Sequence, residues 1–238
     1  MSLSSAPLSA AKPPAERLYG RVRGKKLRPR QERLLDLTLP RLLFPEPSAD
    51  DPPRAFDPKP RAIWFEVGFG GGEHAASLIA AEPEIGLIAC EVFENGICSL
   101  LSRLVPDGEE DTGALPPNLR LWPDDARLLL RRLPDASLDK LFLMFPDPWP
   151  KARHAKRRFV HPEQIALVAR VLKPGGEWRI ASDDPTYQAW VTEVTAAQTA
   201  FEVASPVTER PSGWPPTRYE AKARREGRQP LYWSLRRR

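Results

Sequence analysis

The chain has 238 residues, 41% of them hydrophobic, which is enough to bury one α/β core without metals or disulfides. Its two cysteines, Cys90 and Cys98, lie in apolar surroundings and show no spacing with histidine that suits zinc, so we expect buried thiols and no metal site. No apolar stretch approaches the roughly 18 residues of a membrane span, and the N-terminus lacks the core of a signal peptide. These features argue against a membrane or secreted protein and predict a cytoplasmic one.

The net charge of +5 hides an uneven distribution of charge along the chain. Residues 1–33 carry nine Lys/Arg against two Glu, residues 147–158 carry five against one Asp, and residues 218–238 carry eight against two Glu. These segments therefore hold +7, +4 and +6, which leaves −12 for the rest of the chain. An acidic body with three basic segments indicates dedicated contacts with phosphates, although a charged terminus can also be merely solvated.

The first 60 residues differ in composition from the rest. Residues 1–16 are rich in Ser, Ala and Pro and are predicted to be disordered, and residues 17–33 form a basic arm. The leucines of residues 31–44 predict a short helix interrupted at Pro40. Six prolines between residues 45 and 60 predict a stiff linker rather than a packed element. We therefore predict a folded domain at residues 61–238, preceded by an N-terminal region at residues 1–60.

From Ala62 onward, apolar runs alternate with helical patterns. Strands are predicted at residues 62–67, 85–92, 119–122, 138–145 and 178–181, with helices at 73–81, 95–104, 126–133, 162–172 and 186–197. Two last strands, at 201–204 and 231–235, are predicted to enclose a loop of Trp, Pro and Arg residues. This alternation predicts a Rossmann-like α/β fold with a doubly wound, mainly parallel sheet of seven strands, whose ligands bind outside the carboxyl ends of the strands.

A glycine-rich turn, Glu66-Val67-Gly68-Phe69-Gly70-Gly71-Gly72-Glu73, follows the first strand and enters a helix. Unpaired amides at the start of a helix favour polar or anionic groups, so the turn is typical of a site for a nucleotide-like cofactor. A nicotinamide dinucleotide would need a third glycine where Glu73 stands, which argues against an NAD-dependent oxidoreductase. The carboxylate of Glu66 suits an ammonium or sulfonium group; the alternative is a polar residue that merely ends a strand.

Two further carboxylates follow the next strands. Glu91 lies about 20 residues beyond the turn, where an acidic side chain can accept both hydroxyls of a ribose. Asp125 is favoured for a contact with adenine, although an Asp before a helix serves equally well as an N-cap, and Asp124 is its neighbour. This arrangement resembles the S-adenosylmethionine site of class I methyltransferases, formed here by Glu66, Gly68, Gly70, Glu91 and Asp125.

The segment after the fourth strand, Asp147-Pro148-Trp149, resembles the acidic or amide residue, proline and aromatic residue with which base-modifying methyltransferases hold a planar group. Prolines on both sides of Asp147 stiffen the loop that presents its carboxylate. The alternatives are a proline-rich turn with a surface Asp, and a Trp149 that packs in the core. A cationic tract follows directly, so chemistry and an anionic partner are predicted to meet here.

Four motifs carry a more specific resemblance: Glu66-Val67-Gly68-Phe69-Gly70, Phe145-Pro146-Asp147-Pro148-Trp149-Pro150-Lys151-Ala152-Arg153-His154, Ala181-Ser182-Asp183 and Thr217-Arg218-Tyr219-Glu220. They resemble the motifs of the bacterial tRNA (guanine-N7)-methyltransferases. The resemblance covers residues 17–238 apart from the predicted linker. It implies S-adenosylmethionine as cofactor, tRNA as partner, and methylation of guanosine 46 in the variable loop of the tRNA. Both a monomer and a homodimer fit the sequence.

The same resemblance implies a role for particular residues. Cofactor contacts would come from Glu66, Glu91, Asp125 and Asp147, of which Asp147 would also be catalytic. Substrate contacts would come from Lys151, Asp183, Thr217, Arg218, Tyr219 and Glu220. RNA contacts would come from Arg153, His154, Lys156, Arg157 and Arg158.

Guanine N7 carries a lone pair and no proton, so it can attack a sulfonium methyl without a general base. Catalysis then depends on alignment, for which effective molarities of roughly 10⁵ M are available, and on a carboxylate near the purine as it gains positive charge. Trp149, Trp214 and Tyr219 are candidates to receive the base. The alternatives are a class I methyltransferase with another RNA, a protein or a small molecule as acceptor, and a non-catalytic RNA-binding protein on the same fold.

Overall fold

The computed structural model describes Gly20 and residues 22–238. Its strands are β1 (Ala62–Val67), β2 (Ile85–Cys90), β3 (Leu119–Trp122), β4 (Leu138–Met144), β5 (Leu172–Ser182), β6 (Phe201–Val203) and β7 (Leu231–Arg237). They form one seven-stranded sheet in the order β3-β2-β1-β4-β5-β7-β6. The first five strands pair in parallel, and β7 runs antiparallel to β5 and β6. The predicted doubly wound, mainly parallel sheet is confirmed; the predicted disorder of residues 1–16 lies outside the described residues.

Helices cover both faces of the sheet. They are α1 (Pro29–Arg33), α2 (Glu73–Ala81), α3 (Glu94–Leu104), α4 (Ala126–Arg132), α5 (Pro162–Val171), α6 (Pro185–Ala196) and α7 (Arg218–Arg225). Successive side chains of a strand point to opposite faces, and β1 shows this directly. Ile63 and Phe65 pack with α4, α5 and α6, whereas Trp64 packs with α2 and α3. The predicted thiols Cys90 and Cys98 are buried.

The segment predicted as a linker, residues 45–60, packs against the core through Ala49, Ala55 and Phe56, so that prediction is wrong. Leu42 to Phe44 pair with β3: Phe44 N–H donates to Leu121 O at 2.9 Å, and Leu121 N–H donates to Leu42 O at 2.8 Å. Two 3₁₀ turns follow, Glu46–Asp50 and Pro52–Ala55. Proline fits the first positions of such turns, because its missing N–H has no partner there, so the prolines shape a packed segment.

Phe56 shows how tightly this segment is fitted. The ring is 5% exposed and lies over Gly86 of β2, where an added Cβ would come within 2.8 Å of the ring. Glycine at this strand position therefore makes room for the aromatic side chain. The apolar core thus begins at Leu34, well before the first strand.

The helix predicted at residues 31–44 is broken into shorter turns. After α1 come a π-helical turn, Leu34–Thr38, and a 3₁₀ turn, Leu39–Arg41. Arg30 and Arg33 of α1 both bond the buried carboxylate of Glu110, at 3.3 and 3.2 Å. The Thr38 hydroxyl donates to Glu110 O at 2.6 Å. These contacts fasten the long loop after α3 to the N-terminal region.

The loop predicted between the last two strands contains α7. Thr217 caps this helix, and its hydroxyl oxygen accepts a hydrogen bond from Glu220 N–H at 3.0 Å. Glu220 is buried and paired with Arg210 and Arg224, at 3.0 and 3.3 Å. Because α7 buries only Glu220 and Ala223, it lacks the apolar periodicity that would have predicted it.

Candidate active site

A cavity of about 800 Å³ lies at the carboxyl ends of the parallel strands. Four of the five parallel strands, β1 to β4, are each followed by a predicted residue that lines this cavity. Gly68 and Gly70 follow β1, Glu91 follows β2, Asp125 follows β3 and Asp147 follows β4. The doubly wound topology therefore brings together residues that are up to about 80 positions apart in the sequence.

The glycine-rich turn is held by Glu91. Gly68 and Gly70 have φ angles of 70° and 58°, a left-handed conformation that glycine adopts without a steric cost. One Glu91 oxygen accepts from Gly70 N–H at 2.7 Å, and the other accepts from Val92 and Phe93 N–H at 2.8 and 3.0 Å. The carboxylate expected to bind a ribose is thus fixed in place from behind by three backbone amides.

Burial raises the pKa of Glu91, the three backbone amides oppose that rise, and the nearby charge of Asp147 adds to it. The net shift is upward. Two carboxylates that influence each other across one cavity favour a ligand with positive charge. The same arrangement disfavours a pyrophosphate.

Glu66 does not line the cavity. Its side chain is 1% exposed, and Oε1 lies 3.0 Å from His74 Nδ1 in the first turn of α2. Within the described part of the chain, Oε2 has no hydrogen-bond partner. Glu66 thus lies behind the glycine-rich turn, and a buried acceptor remains open there.

Asp125 is the N-cap of α4 and also lines the cavity, so the two roles weighed for it coexist at one residue. Its carboxylate accepts from Arg127 N–H at 2.9 Å and from Arg127 Nε at 3.0 Å. The neighbouring Asp124 bonds Asp125 N–H at 2.7 Å and is not part of the cavity wall. Of the two carboxylates, only that of Asp125 faces the cavity.

The loop that carries Asp147 has a constrained backbone. Phe145 and Trp149, on either side of it, have φ angles of 54° and 43°, which side-chain-bearing residues rarely adopt. Asp147 is exposed on the cavity wall and receives no hydrogen bond from the described residues. The loop therefore holds a carboxylate ready for a ligand.

Arg158 holds this loop in place through its guanidinium group. Its Nε donates to Pro148 O at 3.2 Å and its Nη2 to Trp149 O at 3.0 Å. The residue is 6% exposed, and its guanidinium lies 4.8 Å from the centre of the Trp190 ring. Although Arg158 lines the cavity, its main contacts support the loop.

The remaining basic residues of the tract are more accessible. Lys151, Arg153 and Lys156 are exposed, whereas Arg157 is half-buried with its guanidinium 4.8 Å from the centre of the Trp149 ring. His154 meets the edge of the same ring at 5.8 Å. Desolvation and the neighbouring cations lower the pKa of His154.

The C-terminal motif reaches the glycine-rich turn. Tyr219 lines the cavity, and its ring would be 3.1 Å from a Cβ added to Gly70. Arg218 donates to the Tyr219 hydroxyl at 3.0 Å and lies 3.9 Å from a Glu73 oxygen. The side chains of Thr217 and Glu220 instead maintain α7, as described above.

Of the six predicted substrate residues, only Tyr219 lines the cavity. Asp183 forms an ion pair with Arg228 at 2.9 Å. Lys151 is the first basic residue of the tract and is exposed. The structure also adds wall residues that sequence reasoning missed. These are Gly20, Val67, Val92, Phe93, Arg127, Leu143, Met144, Phe145, Pro146, Phe159, His161, Glu163 and Gln164. The last three lie at the start of α5, which begins at the same edge of the sheet as the cavity.

A mainly parallel sheet with an antiparallel β7, a glycine-rich turn after β1 and a carboxylate after each of the next strands defines a class I methyltransferase. Consistent with this, the model of a family described as "Putative methyltransferase" matches residues 60–232. The tRNA (guanine-N(7)-)-methyltransferase of Granulibacter bethesdensis is 68% identical over 92% of this chain and 93% of its own length. The chain belongs to this family of tRNA (guanine-N(7)-)-methyltransferases.

Other comparisons agree. The protein of the same name from Paramagnetospirillum magneticum is 48% identical over 93% of both chains. The crystal structure of the 16S rRNA methyltransferase KamB matches with a TM-score of 0.53 and 16% identity, covering 75% of this chain and 88% of its own. That likeness supports the fold. No described helix is long and apolar enough to cross a membrane, and the described residues contain no cluster that could hold a metal ion.

Proposed function

We propose that this protein transfers a methyl group from S-adenosylmethionine to N7 of guanosine 46 in tRNA, in the cytoplasm. The observation that carries the proposal is that Asp147, the glycine-rich turn and a cationic tract share one cavity. The relatives named above are tRNA (guanine-N(7)-)-methyltransferases along nearly their whole length, which supports the same substrate here.

The cavity fits S-adenosylmethionine. Of the four carboxylates on the cavity wall, those of Glu91, Asp125 and Asp147 follow the strands next to the glycine-rich turn, where a sulfonium group would lie, and the open oxygen of Glu66 lies behind the turn. We propose that Gly68 and Gly70 let the cofactor approach the backbone and that Glu91 accepts the ribose hydroxyls. When bound, the cofactor supplies an electrophilic methyl group.

We propose that Asp147 binds the target guanine. Its carboxylate can accept hydrogen bonds from the ring N–H and the exocyclic amine of guanine, which turns N7 toward the methyl donor. The purine gains positive charge as it is methylated, and a fixed carboxylate stabilises that charge more than water does. N7 has no proton to lose, so no residue has to act as a base.

The RNA would lie across the cationic tract. Arg153, Lys156 and Lys151 are exposed and can contact phosphates without reading the sequence. Trp149 and Tyr219 lie on opposite loops of the cavity and offer aromatic surfaces to an extruded base. Arg157 and His154 contact the Trp149 ring, and we propose that they hold it in the orientation that the base needs.

The test is incubation of the purified protein with methyl-labelled S-adenosylmethionine and unmodified tRNA, followed by mass spectrometry of the digested nucleosides. We expect 7-methylguanosine, and its loss when adenosine replaces guanosine 46 in the tRNA. Binding of the cofactor without labelling of any tRNA would overturn the proposed substrate and favour a methyltransferase with another acceptor. A protein that binds tRNA but no cofactor would be an RNA-binding protein on this fold.

A further inference from the structure

Gln164 is a buried polar residue whose side chain has no bonding partner. It is the third residue of α5, is 7% exposed and lines the cavity. Its Oε1 is buried without a hydrogen bond, and no described residue bonds its amide nitrogen. A buried carboxamide that stays unpaired destabilises the fold, so a side chain kept in this state calls for a ligand that satisfies it.

The position of Gln164 follows from the packing of two helices. Arg170, near the end of α5, donates to Leu130 O and Leu133 O at the end of α4, each at 2.8 Å. Both helices also follow parallel strands, so they run in the same direction and begin at the carboxyl edge of the sheet. Gln164 and Asp125 thus lie at the starts of two packed helices, and both residues line the cavity.

The carboxylate of Asp125 is already paired within the protein. Arg127 occupies both of its carboxylate oxygens, with Nε at 3.0 Å from each and with N–H and Nη2 as further donors. A third group that approached this carboxylate would compete with an ion pair that is largely shielded from water. A second acceptor at the start of the neighbouring helix would let the site bind the exocyclic amine of an adenine without breaking that ion pair.

We propose that the Gln164 carboxamide binds the edge of the adenine of S-adenosylmethionine. A glutamine side chain matches adenine because its oxygen accepts from the exocyclic amine while its nitrogen donates to a ring nitrogen. Glu91, which is the proposed ribose ligand, Asp125 at the start of α4 and Gln164 at the start of α5 all line the cavity. The proposal rests on the proposed function, because it takes S-adenosylmethionine to be the ligand.

The test is calorimetric measurement of the affinity of the full chain for S-adenosylhomocysteine and for an analogue whose purine lacks the 6-amino group. We expect wild-type protein to bind the analogue about 10-fold more weakly, because a buried acceptor is left unpaired. In Gln164→Met, which keeps the shape and removes the amide, affinity for S-adenosylhomocysteine falls about 10-fold and the two ligands bind within about twofold of each other.

Two further variants separate recognition from structure. Gln164→Glu retains an acceptor for the amine, so it keeps the preference for the 6-amino group. Gln229→Met makes the same chemical change at an exposed glutamine outside the cavity wall and leaves both affinities unchanged. A role in packing alone would lower both affinities equally in Gln164→Met and in Gln164→Glu.

Each contrary result has a distinct meaning. If wild-type protein and Gln164→Met show the same preference for the 6-amino group, the role of Gln164 is wrong and the proposed function stands. If Gln164→Met binds S-adenosylhomocysteine normally but methylates tRNA more slowly at saturating cofactor, the amide binds RNA and the proposal is wrong. If wild-type protein binds neither ligand, the proposed function itself fails.

Discussion

Asp147 combines exposure with a rigid backbone. The prolines on either side and the left-handed conformations of Phe145 and Trp149 leave its loop few alternative shapes. Arg158 adds two hydrogen bonds to the same loop. A carboxylate held in this way binds a base without first losing conformational entropy, which is the condition for electrostatic stabilisation of a transition state.

We therefore expect Asp147→Asn to lower the single-turnover rate of tRNA methylation by about 100-fold or more. Asparagine keeps the size of the side chain and removes the negative charge that would stabilise the methylated purine. Thermal unfolding should stay unchanged, because Asp147 bonds no described residue. The exposed Asp50→Asn serves as control, and equal rates in the two variants would remove Asp147 from the mechanism.

Lys156 and Arg158 are expected to differ although they are two positions apart. Lys156→Ala removes an exposed charge and should weaken tRNA binding by a few-fold without changing the unfolding temperature. Arg158→Ala leaves two carbonyl groups without their donor and should destabilise the fold by about 1–3 kcal/mol. Chemical denaturation and filter binding measure the two effects; a stable Arg158→Ala would contradict the supporting role.

Among the elements, α3 limits the shape of the glycine-rich turn. A Cβ at Gly96 would lie 2.4 Å from Gly70 O, so Gly96→Ala must displace either the helix or the turn. We expect Gly96→Ala to weaken binding of S-adenosylhomocysteine at least 10-fold, because the turn that the ligand approaches has moved. Calorimetry checks the affinity, and a cooperative unfolding transition shows that the variant is folded. Unchanged affinity would show that the turn tolerates displacement.

The contact of α1 with the loop after α3 depends on pH. The Arg33 guanidinium lowers the pKa of Glu110 to about 2, from an ordinary value of 4.5. A carboxyl whose pKa is lowered in the folded state stabilises the protein above its ordinary pKa, and this contribution is lost as the pH falls through the lowered value. The unfolding midpoints of wild-type protein and Glu110→Gln should therefore differ at neutral pH and converge between about pH 4.5 and 2. A difference that persists at about pH 2 would rule out this ion pair as its source.

The strands and helices of the doubly wound core could be predicted because burial sets the spacing of apolar residues along their sequences. The bounds predicted for β1, β3 and α2 match the structure. Three features escaped prediction for physical reasons. The helix α7 buries almost no apolar surface, so its sequence shows no helical pattern. The prolines near residue 50 are typical of a linker in sequence, although in the structure they belong to packed 3₁₀ turns. Gln164 occupies a helix position that resembles a solvated one in sequence.

At the scale of the whole molecule, charges of both signs meet at the cavity. Its wall holds four carboxylates, those of Glu91, Asp125, Asp147 and Glu163, and the cations of Arg127, Lys156, Arg157 and Arg158. The exposed cations of residues 151–156 follow Asp147 directly in the chain and can bind a polyanion there. One site can in this way hold a sulfonium compound and a phosphate backbone together.

We expect tRNA binding to weaken steeply with salt, because each phosphate contact contributes about 0.7–0.9 to the slope of log affinity against log salt concentration. Replacing Arg153 and Lys156 by alanine should lower that slope by about 1.5. Replacing Arg54 and Lys59, which are exposed before β1 at the opposite edge, removes the same charge and should leave it unchanged. Equal slopes for both double variants would show that the basic tract does not face the RNA.

The pairing of Leu42 to Phe44 with β3 has a consequence for the state of the protein in solution. The backbone of an edge strand can pair with any other strand, including that of a second molecule. Residues 42–44 occupy the outer side of β3 and block this route to self-association. A protein that begins at residue 60, where the match to the family begins, would expose β3 and lose the apolar cover of residues 44–56. Residues 42–44, directly before the segment predicted as a linker, thus protect the edge of the sheet from aggregation.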